Sequence, residues 1–215
     1  MCGRVTQEGI RGIVSLRVKT RVPDGWGPSW NIAPTNPLLV ITPAWEVAVR
    51  RWGLVPAWSK DLAFGSKCFN ARAETVAEKP SFRAAFKKSR VLVPVNGFYE
   101  WLTQGKTKTP FFISNAAPEE MLVFAGLEDR WEGGPEGEVC SASIVTTTAN
   151  DFIRPIHPNR MPVLLAPGQW DSWLDPKASP ADLQGMLRPA PEDALRAWQV
   201  RPVRGDGPEL IEPVA

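Results

Sequence analysis

The apolar positions of this chain fall into short runs of four to seven residues rather than long helical stripes. Runs at residues 38–42, 47–52, 91–95, 111–114, 121–127 and 142–147 are rich in Val, Leu, Ile, Phe and Thr and are broken by Pro and Gly. That is the pattern of buried or half-buried β-strands. Helical spacing is confined to four stretches. In 80–90, Phe82 and Phe86 stand four apart, with Arg83, Lys87 and Lys88 available to face solvent. In 167–174 a proline opens the first turn and Trp170 and Leu174 share a side, and 180–187 and 191–198 are two further short candidates. Segment 132–138, with its glycines, proline and three glutamates, reads as an exposed loop between strands. No internal repeat and no long linker divides the chain. The predicted fold is α+β, one domain over residues 1–215, with an antiparallel barrel-like β core flanked by short helices.

Composition bounds the function. A 215-residue chain that is 43% apolar and 22% charged can bury roughly 70% of its unfolded surface and is not of the disordered class. No run approaches the ~20 apolar residues of a membrane-spanning helix. Met1-Cys2-Gly3-Arg4 leads into polar residues rather than a secretory signal, so a cytoplasmic location is expected. The three cysteines, Cys2, Cys68 and Cys140, are odd in number and unpaired by spacing, which suits a reducing compartment. One histidine, His157, excludes multi-histidine metal centres. A Cys₃His site survives by count, but no C-x-x-C pair supports it, and no metal or cofactor is expected. The net charge of +2 hides an asymmetry: residues 1–110 hold 17 Lys and Arg against 7 Asp and Glu, and residues 111–215 hold 8 against 16, net charges of +10 and −8. A basic half suits a polyanionic partner; two halves neutralising one another within a fold would give the same numbers.

Cys2 is the first candidate for chemistry. If Met1 is removed, the chain begins with an amine and a thiol on adjacent carbons. The amine, with a pKa of about 7.7–8.0, is partly neutral near pH 7 and can condense with an aldehyde, after which the thiol can close a five-membered ring. Alternatively the thiolate attacks an acyl group with the amine as base; or Cys2 is merely a small apolar residue. Asn70 sits in Phe69-Asn70-Ala71-Arg72-Ala73-Glu74-Thr75. Glu100 sits among the rings of Phe98, Tyr99 and Trp101; packed against them its pKa would rise, whereas strand alternation could equally leave it wet. His157 lies in a loop-like segment ending Arg160-Met161-Pro162, as a proton carrier or a structural residue. Trp52 and Trp58 interleave with Arg50 and Arg51, a mixture suited to base stacking beside phosphate contacts, although most tryptophans are core residues. Asn31-Ile32-Ala33-Pro34-Thr35 reads as a turn.

Taken in order, Met1-Cys2-Gly3-Arg4, residues 31–35, 51–58, 70–75, 97–101, 157–162 and Glu209-Leu210-Ile211-Glu212-Pro213 resemble the SRAP (SOS response-associated peptidase) family of abasic-site-crosslinking proteins. The resemblance spans almost the whole chain, and it is the order of seven segments that makes it specific. It implies a compact α+β fold with a basic face for single-stranded DNA, and capture of abasic sites as a thiazolidine on Cys2. It implies further that Asn70 orients the N-terminal cysteine, that Glu100 moves protons, and that His157 stabilises the opened sugar. By the same resemblance Arg4, Arg72 and Arg160 would hold phosphates, Trp52, Trp58, Asn31, Pro34 and Thr35 would support the strand, and Thr146 would contact its backbone. The implied partner is single-stranded DNA with abasic sites, bound by a monomer without metal or membrane. Two departures stand out: Pro158 and Asn159 put two residues between the histidine and Arg-Met-Pro where the family usually has one, and 200–207 is shorter than usual. Two other classes remain open at this stage. One is an N-terminal-nucleophile cysteine hydrolase, either an amidotransferase or an autoprocessing peptidase that removes Met1. The other is a non-catalytic single-stranded DNA-binding module.

Overall fold

Period-two alternation along nearly every strand sorts the side chains into separate apolar layers. The computed structural model describes residues 2–8, 18–19, 21–134 and 137–214. The first sheet joins β1 (Val5–Gln7), β2 (Ser29–Ile32), β7 (Gly97–Gln104), β8 (Thr107–Asn115) and β12 (Leu195–Gln199) in the order β12-β8-β7-β1-β2. The second joins β3 (Pro37–Ile41), β4 (Val47–Trp52), β6 (Arg90–Val95), β9 (Leu122–Gly134), β10 (Gly137–Thr148) and β11 (Arg160–Pro162) in the order β11-β10-β4-β3-β6-β9. Because β9 also pairs with β10, strands β10, β4, β3, β6 and β9 close into a ring, and β5 (Asn70–Arg72) lies beside β10. Pairing is antiparallel except where β4 and β5 run parallel to β10. The α+β class and the barrel-like core therefore stand, with strands dominating.

Leu38, Val40, Val91 and Val93 face one layer with Phe98 and Ile113 of the first sheet, so this layer is shared between the sheets. Their neighbours Leu39, Ile41 and Leu92 turn to the opposite face. There they meet Phe86 of α1 (Arg83–Lys88), Trp173 and Leu174 of α2 (Trp170–Leu174), and Leu183 of α3 (Pro180–Met186). Tyr99 and Phe112 point away from the shared layer onto Trp30, Trp101 and Trp198. Gly97 permits the β7–β8 approach, because a Cβ there would fall 2.2 Å from the Phe112 ring. Among the described residues no helix is long and apolar enough to cross a membrane.

Three local expectations change. Residues 191–198 are not a helix: a short 3-10 turn, Glu192–Ala194, gives way to β12, whose Trp198 pairs with Phe112. The open edge of β8 supplies hydrogen bonds that outweigh a weak local helical preference. The 132–138 segment is not a loop throughout, since β9 continues to Gly134 and β10 begins at Gly137; residues 135–136 lie outside the described residues. The 80–90 helix is only Arg83–Lys88, because the chain must become β6 at Arg90. Arg90 is buried, and its guanidinium donates to the carbonyls of Phe86, Trp173 and Asp175. A cation on the C-terminal carbonyls of α1 and α2 is favourably placed.

Gln7 fixes the first sheet to the ring. β3 and β6 pair only at Ile41–Leu92. In the gap the fully buried Gln7 amide takes the place of a strand: Nε2 donates to Leu39 O at 3.0 Å and Pro94 O at 2.6 Å, while Oε1 accepts from Leu39 N at 2.9 Å. Truncation would orphan three buried backbone groups. Gln7→Ala is expected to lower unfolding free energy by roughly 2–4 kcal/mol in urea titration; a loss below about 1 kcal/mol would show the splice to be incidental.

Candidate functional site

Residues 68 to 155 positions distant from Cys2 converge on it where the two sheets meet. Cys2 precedes β1 and is fully buried in the layer between the sheets. Tyr99 N donates to Arg4 O at 3.0 Å, which lays the N-terminal segment along β7. Asn70, the first residue of β5, donates from Nδ2 to Cys2 O at 2.8 Å. Its Oδ1 is buried without a hydrogen-bond partner. The parallel pairing of Asn70 with Ile144 sets that strand, and Trp52 Nε1 donates to Phe69 O at 2.9 Å just before it.

Glu100 follows from the alternation of β7. Phe98 enters the layer between the sheets and Tyr99 leaves it, so Glu100 turns back inward and its side chain is 3% exposed. Burial pushes its carboxyl up to about 7. The same burial, followed by the nearby Glu100 carboxylate, pushes the Cys2 thiol well above its ordinary value. His157 Nε2 lies 3.9 Å from Glu100 Oε2. Burial holds the imidazole below its ordinary pKa, so both groups are driven toward their neutral forms and the approach is polar rather than a strong ion pair. The extra residue before Arg160 is absorbed by a bend over Pro158 and Asn159, and His157 still reaches the site. Arg160 N donates to His157 Nδ1 at 3.4 Å.

The residues expected to hold DNA divide. Arg72 is exposed on β5 and Arg4 is half-buried beside Cys2. Trp58 is 56% exposed, edge-on to Phe64 at 5.1 Å, and is the one large aromatic so exposed among the described residues. Thr35 adopts φ 78°, a left-handed backbone unusual outside glycine, and its N–H donates to Trp52 O at 2.6 Å. Pro34, half-buried, stands just before that bend. Asn31 donates from Nδ2 to Gly205 O at 2.8 Å, tying the shortened 200–207 segment to β2. Two assignments are corrected. Trp52 is fully buried and cannot stack on a base; its indole supports the strand that carries Asn70. Thr146 is buried too, its hydroxyl donating to Ala71 O at 3.3 Å and accepting from Arg160 Nη2 at 3.3 Å, so it links β5 to Arg160 rather than facing solvent.

Sequence reasoning missed Glu74, quoted within a motif but given no role. It accepts from Arg160 Nη1 at 2.7 Å across 86 residues of chain, a pairing no local spacing announces. Among the described residues no group of three or more His, Cys, Asp or Glu could hold a metal ion. What the arrangement can do is proton transfer near neutrality beside a fully buried thiol.

The family model described as SOS response associated peptidase (SRAP) matches residues 1–204. The chain is 38% identical to the abasic site processing protein YoqW of Bacillus subtilis over 99% of both chains. It is 38% identical to the abasic site processing protein YoaM of the same organism over 93% of this chain and 91% of that one. A crystal structure of a Bacteroides thetaiotaomicron protein, 27% identical, superposes over 100% of both chains with a TM-score of 0.91.

The raised Glu100 carboxyl makes stability fall with pH. Between about 4.5 and about 7 the folded chain keeps a proton that the unfolded chain has released. The contribution is therefore intact below 4.5 and lost as pH rises through 7. Glu100→Gln is expected to match wild type in urea titration at pH 4 and to exceed it by roughly 2–3 kcal/mol at pH 8. Equal stability at both pH values would mean that Glu100 is hydrated.

Proposed function

The chain belongs to the SOS response associated peptidase (SRAP) family, and on that footing we propose that it captures abasic sites in single-stranded DNA covalently through Cys2 once Met1 is removed. The observation that carries this reading is the convergence of Cys2, Asn70, Glu100 and His157 on one dry site from four separate segments of the chain. The names of YoqW and YoaM as abasic site processing proteins support the substrate.

The freed α-amine of Cys2 adds to the C1′ aldehyde of the ring-opened sugar, giving a carbinolamine. Loss of its hydroxyl as water gives an imine. The Cys2 thiol then adds across the C=N bond: sulfur bonds to C1′, its proton leaves to Glu100, and the nitrogen regains one. The product is a thiazolidine, with one water released overall. The suppressed thiolate favours this order, amine first and thiol second. It equally disfavours acyl attack by thiolate and so the N-terminal-nucleophile hydrolase. Glu100, with a carboxyl near 7, can give the proton that expels water and take the one that the thiol releases. Asn70 holds the cysteine main chain. His157 bears on the sugar hydroxyl freed by ring opening. Arg4, Arg72 and Arg160 bear on phosphates, and Trp58 with the turn at Thr35 supports the strand. The protein acts as a single-domain monomer in the cytoplasm, and this chemistry calls for no metal.

Cys2→Ser separates the two bonds, because it keeps the amine and loses the thiol. Wild type is expected to give a band on denaturing gels that survives heating with an abasic oligonucleotide. Cys2→Ser is expected to give one only after borohydride, which fixes the imine. A heat-stable band of equal intensity from Cys2→Ser without borohydride would exclude thiazolidine capture.

A further inference from the structure

Glu74 places a carboxylate among the cations assigned to phosphate. Its Oε1 meets Arg160 Nη1 at 2.7 Å, while Arg160 Nη2 is held by the main-chain and side-chain oxygens of Thr146. Arg160 is 14% exposed and Glu74 49% exposed, so the acidic partner is the one that solvent and ligands reach. Arg72 stands two residues before it, exposed on β5. Partial burial pushes the Glu74 carboxyl up, but the hydrogen bond from Arg160 and the charges of Arg160 and Arg72 outweigh it and hold the group below its ordinary range. Glu74 is therefore ionised at neutral pH. With Nη2 on both oxygens of Thr146 and one Nη1 hydrogen on Glu74, a single terminal hydrogen of Arg160 stays open, so a DNA phosphate can take the guanidinium through paired oxygens only by displacing Glu74.

Resting on the DNA-capture reading, we propose that Glu74 is a resident competitor for phosphate at Arg160: it holds the guanidinium in the DNA-free protein and yields it when a strand seats. A carboxylate and a phosphate offer the same paired oxygens to a guanidinium, and an ion pair with a half-exposed member is weak enough to exchange. The exchange swaps one anion for another, so Arg160 adds little to affinity for intact DNA. A strand that merely passes is held loosely, and a strand whose abasic site reaches Cys2 is held by the covalent bond.

Fluorescence anisotropy with an undamaged single-stranded oligonucleotide, titrated from low to high salt, tests this. Glu74→Gln is expected to bind roughly threefold to tenfold more tightly than wild type at low salt, with a salt slope steeper by about 0.7, as for one more phosphate contact. Glu74→Ala is expected to behave alike. Glu119→Gln, which removes the same charge from the exposed turn after β8, is expected to change neither quantity. Unchanged or weaker binding by both Glu74 variants, or an equal gain from Glu119→Gln, overturns the inference. Covalent capture by wild type reports on the underlying reading separately: capture with unaltered Glu74→Gln affinity overturns this inference alone, whereas absence of both binding and capture overturns both.

Discussion

Everything at the site depends on one dry layer between two sheets. A carboxylate left in water has a pKa near 4 and is a poor proton carrier at neutrality; Glu100 reaches about 7 because β7 turns it into the same layer as Phe98. The layer holds only if the sheets are fixed to one another, and that is the work of the Gln7 amide, which bonds to β3 and β6 from β1. The strand that Gln7 anchors carries Cys2 five residues before it. Register, burial and chemistry are thus linked: a slip of one residue in β7 would move Glu100 out of the Cys2 layer into the aromatic layer of Phe112 and Trp198 and put Tyr99 in its place.

The sheet core was legible in the sequence because apolar runs bounded by proline and glycine do not depend on distant context. Three of the six such runs, 38–42, 47–52 and 91–95, overlap their strands closely, and 111–114, 121–127 and 142–147 are parts of the longer β8, β9 and β10. Short helices and strand ends were less legible. Residues 191–198 carry helical spacing, yet the edge of β8 decides their conformation, and nothing within the segment reveals that edge. Whether Glu100 faces in or out turned on parity within β7, which the sequence left open until Phe98 and Tyr99 were assigned to different layers.

The site residues were legible through their segments rather than their contacts. Asn70 meeting Cys2 could not be read from spacing, because the contact requires β5 to lie parallel to β10. Trp52 shows the opposite failure: an indole beside arginines resembles a stacking surface, but its N–H donates to Phe69 O inside the core. The same holds for Thr146 and Glu74, whose roles come from Arg160 returning over them in β11. Basic charge in the first half of the chain therefore overstates the cations open to DNA, since Arg90 is buried and Arg50 is paired with Glu128 at 2.6 Å.

The central claim is that a dehydrated aminothiol, assisted by a carboxyl tuned to neutrality, captures an aldehyde with loss of one water. The most direct measurement is an intact-mass spectrum of the protein after incubation with an abasic oligonucleotide. The account predicts a single adduct equal to the Met1-less chain plus the oligonucleotide minus one water, mapped to Cys2. An unmodified chain, or an adduct mapped to any other residue, would contradict it.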